Sequence, residues 1–121
     1  MTYNKNNIFA KILRKEIPYK KIFENEYVLS FYDINAQKKI HALIIPKGEY
    51  INLDDFNQKA SDQEIVAMIK AITEVSKILG ISTDAGKGYR ILTNQGEHGG
   101  QEVPHLHFHL FGGEKIGRMV E

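Results

Sequence analysis

The chain of 121 residues has no cysteine, no tryptophan and only three prolines. The missing thiols exclude disulfides, thiolate metal centres and cysteine nucleophiles together. An excess of charge of one sign is missing too. Sixteen Lys+Arg stand against fifteen Asp+Glu, a formal +1 with the five histidines neutral. That balance gives no electrostatic footing for nucleic acid or for an anionic membrane surface. No apolar run approaches the roughly 18 residues of a membrane span. The opening Met1-Thr2-Tyr3-Asn4-Lys5-Asn6-Asn7 lacks the apolar stretch of a signal peptide, so the cytoplasm is the expected location. No repeat or low-complexity tract interrupts the sequence, and Pro18, Pro46 and Pro104 mark no linker. What is present, 42% hydrophobic and 26% charged residues, is the composition of a folded globular chain. Residues 1–121 are therefore read as one domain, long enough to bury about two-thirds of the unfolded surface.

The apolar residues recur in recognisable periods. Ile8, Phe9, Ile12 and Leu13 have helical spacing, with Asn7 as cap and Pro18 just past the end. Lys20–Glu24 and Tyr27–Tyr32 read as a hairpin turning at Asn25. Ile40–Pro46 is a nearly continuous apolar run, as in a central strand, with His41 inside it. Ser61-Asp62-Gln63-Glu64 forms a capping box ahead of a stripe of Ile65, Met68, Ile69, Ile72, Val75 and Leu79, ended by Gly80. Val66 and Ile78 fall outside that stripe, which points to a partner subunit. Tyr89–Asn94 reads as a strand, Gln95–Pro104 as a glycine-bearing loop, and His105–Phe111 as the last strand.

In that last strand His105, Leu106, His107, Phe108, His109 and Leu110 alternate without a break. Successive strand side chains point to opposite faces, so three leucine or phenylalanine side chains share one face and three imidazoles the other. A merely solvated face is the ordinary reading for one histidine and a poor one for three in register. A zinc site is a second reading, since imidazole suits zinc. However, His105 and His109 lie about 13 Å apart along a strand, and only Glu97 and Glu102 are near as acids. The third reading is nucleophilic attack on phosphorus by a neutral imidazole, with its neighbours donating to phosphate oxygens and protonating the leaving group. The glycine-rich loop ahead of it would add backbone N–H groups.

This unit, with Gly99-Gly100-Gln101 ahead of it, resembles the histidine triad family, whose signature is His-x-His-x-His followed by two hydrophobic residues. The likeness extends to Ile8–Ile12, Glu16-Ile17-Pro18, Phe31–Ile34, His41–Lys47, Gly88-Tyr89-Arg90 and Asn94–Gly113. The branch most resembled is the nucleotide-binding, nucleoside phosphoramidase one. The resemblance implies an α+β fold: a five-stranded, mainly antiparallel sheet with one long helix and a short N-terminal helix, paired into a homodimer. It implies a purine nucleoside 5′-phosphoramidate as substrate and no required cofactor, any zinc on the histidines being adventitious. A dinucleoside polyphosphate hydrolase and a dimeric nucleotide-binding scaffold with little catalysis are the alternatives.

Carried over residue by residue, His107 matches the nucleophile and His109 the group on the phosphate oxygens. His105 and His41 match the pair that fixes His107. Asn94, Gly100, Gln101, Glu102 and Val103 match contacts around the phosphate and leaving group. Asp33 matches the ribose acceptor, although by itself it reads as a turn residue. Ile8, Phe9, Ile12, Phe31, Ile34 and Leu43 match the walls of the base and ribose pocket. Glu102 stands where some members carry Ser, and Pro104 where many carry Tyr. The tail from Ile116 to Glu121 matches nothing interpretable.

Overall fold

The computed structural model describes residues 2–120; Met1, at the head of the N-terminal segment, and Glu121, the last of the tail, lie outside the described residues. In chain order the elements are α1 (Ile8–Leu13), β1 (Lys21–Glu24), β2 (Val28–Tyr32), β3 (Ile40–Pro46), α2 (Leu53–Lys59), α3 (Asp62–Ile78), β4 (Arg90–Leu92), α4 (Gly96–Gly99) and β5 (Phe108–Gly112). The strands form one sheet in the order β1-β2-β3-β5-β4, antiparallel at every pairing. This is the expected α+β architecture.

The local signals explain most of these elements. The Asn7 side chain accepts from the Ala10 amide at 2.9 Å and starts α1. Asn25 accepts from the amides of Tyr27 and Val28 and turns the first hairpin. Ser61 and Glu64 make both halves of the capping box on α3, about 26 Å long at 1.5 Å per residue. Alternation along the strands then divides the core in two. Val28, Ala42, Ile44, Phe108 and Leu110 face Met68, Ala71 and Val75 of α3. Leu29, Phe31, Leu43 and Ile45 face Phe9 and Ile12 of α1 on the other side.

Several expectations need correction. Ile69, assigned to the buried stripe of the long helix, is 58% exposed; the stripe is centred on Met68 and Val75, with Ser76 buried beside it. The short α2 was not anticipated, because Phe56 is its one buried residue and a single contact leaves no period to read. The loop Gln95–Pro104 contains the one-turn α4. The last strand begins at Phe108 rather than His105. Its pairing with β3 starts at Ile44↔Phe108 and with β4 at Leu92↔His109. Pro104 has no N–H to give a ladder, and the Leu106 amide donates to the Tyr50 carbonyl instead.

Candidate active site

The alternation of the triad survives the shortened strand. Leu106, Phe108 and Leu110 enter the core under α3. His105 and His107 lie edge-on to the Phe9 ring of α1, and the His107 and His109 ring centroids are 5.1 Å apart. β3 brings His41 to the same face: its Cα partner in the register is Phe111, and that of Leu43 is His109.

The neighbours of each ring assign its proton. His105 Nε2 lies 2.9 Å from the Pro46 carbonyl, which can only accept, so the proton is on Nε2. Its Nδ1 then accepts from the Tyr3 hydroxyl at 2.6 Å. His107 Nδ1 donates to the His105 carbonyl at 2.7 Å, which leaves the lone pair on Nε2. His41 Nδ1 accepts from the Gln37 amide at 3.2 Å. Its Nε2–H donates to His109 Nδ1 at 2.9 Å, with Asp33 Oδ2 3.4 Å from the same nitrogen. His109 therefore carries its proton on Nε2.

Burial keeps all four rings neutral. Loss of water holds His105 down to about 4, against the opposing pull of the Pro46 carbonyl. His109 is held down to about 4 by burial and then by the neighbouring His107 and His41. Burial also lowers His107, opposed by its bond to the His105 carbonyl and by Asp33 and Glu102. His41 is lowered by burial, opposed by Asp33. Desolvation disfavours the charged imidazolium, so the bases needed for attack are free at neutral pH.

His107 and His109 line a cavity of about 310 Å³, the size of a small-ligand site. Ile8, Phe9, Ile12, Phe31, Ile34 and Leu43 form its apolar part, and Asp33, Asn94, Gly100, Glu102 and Val103 also line it. His41 and His105 sit behind this wall, buried. Asp33 Oδ1 accepts from the Asn35 amide at 2.8 Å, as a turn residue does, and the residue also borders the cavity.

Two expectations on the glycine loop are displaced. Gln101 does not line the cavity; its amide nitrogen donates to the Ile51 and Val103 carbonyls at 2.7 and 3.0 Å and braces the loop. The Gly100 and Gln101 amides close α4 onto the carbonyls of Glu97 and Gly96, so they are not offered to an anion. Gly100 sits at φ +76°, a conformation costly for other residues. The reading of the sequence did not assign the lining residues Ile17, Pro18, Tyr19, Tyr32, Asn35 and Gln37. Ile17, Pro18 and Tyr32 fell within the resemblance without being assigned to the pocket. It also missed Tyr3, for which no local signal exists. Asp33, His41 and His109 could hold a metal, their ligand atoms all lying within 4.8 Å of one another. An ion there would have to displace the proton that His41 shares with His109.

The chain matches the HIT domain family model over residues 14–116. It is 50% identical over 119 residues to a HIT-like protein of Azospirillum brasilense, covering 98% of this chain and 95% of that one. It is 38% identical over 113 residues to the purine nucleoside phosphoramidase of Escherichia coli, covering 93% and 92% of the two chains. Among solved structures, a HIT family hydrolase from Clostridium thermocellum shares the fold at a TM-score of 0.86 and 38% identity, over 98% of this chain and 99% of that one.

Proposed function

The chain belongs to the HIT domain family, and from that premise we propose that it hydrolyses the P–N bond of purine nucleoside 5′-phosphoramidates through a covalent intermediate on His107. The observation that carries this reading is the proton assignment at the cavity wall: Nδ1–H is committed to the His105 carbonyl, and Nε2 holds the lone pair. Nε2 attacks the phosphorus, the P–N bond breaks, and its electron pair leaves with the amine. The amine takes a proton from His109 Nε2–H, which His41 orients through Nδ1. The positive charge that spreads over the His107 ring as the N–P bond forms is met by the His105 carbonyl and by the carboxylates of Asp33 and Glu102. Water then attacks the phosphorus of the nucleotidyl-imidazole and gives a proton back to His109 Nε2; the N–P bond breaks, releasing the nucleoside monophosphate and restoring neutral His107 and His109. No step calls on a metal.

The apolar half of the cavity suits a purine and ribose, with Asp33 free to accept from ribose hydroxyls. The leaving-group side favours an amine over a polyphosphate. The cavity lining includes the carboxylates of Asp33 and Glu102 and, among the described residues, no lysine or arginine. The paired-sheet homodimer is part of the same reading, supported by β4 as one of the sheet's two edge strands and by exposed Val66 and Ile69 on α3.

The test is to trap the protein with a slow nucleotide substrate and locate the modification by mass spectrometry. A nucleotidyl group on His107 is expected; a group elsewhere, or none during turnover, would overturn the reading. Comparing an adenosine 5′-phosphoramidate with a diadenosine polyphosphate tests the leaving group, the amide being expected to turn over faster. Nucleotide binding with no turnover of either substrate would favour the scaffold.

A further inference from the structure

We infer that Tyr3 is a positioning residue for the reaction, acting through His105 on the nucleophile; this rests on the assignment of His107. His105 is the fully buried member of the triad, and its role is carried by its backbone: its carbonyl takes the Nδ1–H of His107 at 2.7 Å. Where that carbonyl sits depends on what holds the residue. Residues 105–107 precede the hydrogen-bonded strand, so the sheet ladder does not fix them. The backbone there is tied by the Leu106 amide, which donates to the Tyr50 carbonyl, and by the Thr93 hydroxyl, which donates to the His107 carbonyl; the His105 ring adds a third anchor, held from both sides. Nε2–H donates to the Pro46 carbonyl at the end of β3, and Nδ1 accepts from Tyr3 Oη, 102 positions away in the chain. The tyrosine ring meets the imidazole edge-on, with centroids 5.6 Å apart.

Tyr3 is itself placed by the turn that opens α1. The Asn7 amide and side chain both donate to the Asn4 carbonyl, at 3.2 and 2.7 Å, and Asn7 caps the helix. The helix that supplies Phe9 to the site thus also delivers the hydroxyl. The Pro46 carbonyl places the proton on Nε2, and the hydroxyl donates to the lone pair that this leaves on Nδ1. The opposite tautomer would turn a lone pair toward the Pro46 carbonyl and loosen the segment whose carbonyl charges the nucleophile. Tyr3, like Phe9, precedes residues 14–116, the stretch that the family model matches.

Tyr3→Phe keeps the ring and removes only the hydroxyl. On an adenosine 5′-phosphoramidate, kcat is expected to fall about fivefold, the size of one net hydrogen bond, with KM unchanged. Nitrogen-15 imidazole spectra are expected to keep His105 in the Nε2–H form and to show its Nδ1 resonance move to that of a nitrogen without a hydrogen-bond donor. Tyr3→Leu, which loses ring and hydroxyl, is expected to be about equally slow. A Tyr3→Phe protein with parental kcat overturns the proposal, as does an unchanged His105 Nδ1 resonance or a rate loss confined to Tyr3→Leu, which would mean packing alone. The two failures are separable. Parental turnover in His107→Ala overturns the nucleophile and the rate effect of Tyr3 with it, whereas an inactive His107→Ala beside a parental Tyr3→Phe overturns Tyr3 alone.

Discussion

His109 accepts a hydrogen bond from one imidazole and carries its own proton on the opposite nitrogen, and His107 keeps a lone pair because its other nitrogen is spent on a carbonyl. Both states require neutral rings, so kcat/KM is expected to fall on the acid side. His107 lies below the usual 6.5 through burial, so the limb should appear below pH 6.5, and a profile flat to pH 4 would contradict an imidazole nucleophile. Asp33 offers a second test. Asp33→Ala is expected to raise KM for a ribonucleotide amide roughly 10- to 100-fold, the loss of a charged hydrogen bond, and to leave the KM of a 2′,3′-dideoxy analogue nearly unchanged, while the loss of kcat through His107 is common to both. Equal KM effects on both substrates would remove the ribose role. At this scale the sequence showed the shared face of the triad, because period-two alternation needs no tertiary knowledge. It did not show which nitrogen carries each proton. Those are set by the Pro46 carbonyl, 59 positions from His105, by the Gln37 amide and by the His105 carbonyl.

Helices and strands were legible where their signals were local. The capping box of α3 is written in four consecutive residues and is present in full. Ser61→Ala is expected to cost about 1 kcal/mol, seen as a lower urea midpoint with unchanged slope; an unchanged midpoint would show that the cap contributes nothing. Elements set by distant partners were less legible. β5 starts three residues late because Leu106 pairs with Tyr50, and the amides of the glycine loop turn inward because α4 closes on itself. Gln101 looked like a ligand contact by likeness and acts as a brace by geometry, since both carbonyls it reaches are backbone.

Across the whole molecule, the buried histidines tie folding to pH. Near neutrality they are uncharged both folded and unfolded. As pH falls, the unfolded chain binds protons near 6.5, whereas His105 and His109 resist until about 4. The unfolded state then holds more protons, and stability declines as pH drops through that window. Melting temperature is expected to fall already between pH 6.5 and 5, ahead of the carboxylates; a constant value there would mean the rings are not held neutral. The proposed homodimer predicts about twice the 13.8 kDa chain mass by sedimentation; a chain that sediments as a monomer at micromolar concentration would remove it. The entrance to the cavity has a thermodynamic consequence of its own. Ile34 is 86% exposed and Ile8 43% exposed at its rim. An occupant that covers them takes oil-like surface out of water, so the heat of association should grow steadily more exothermic as the calorimeter is warmed.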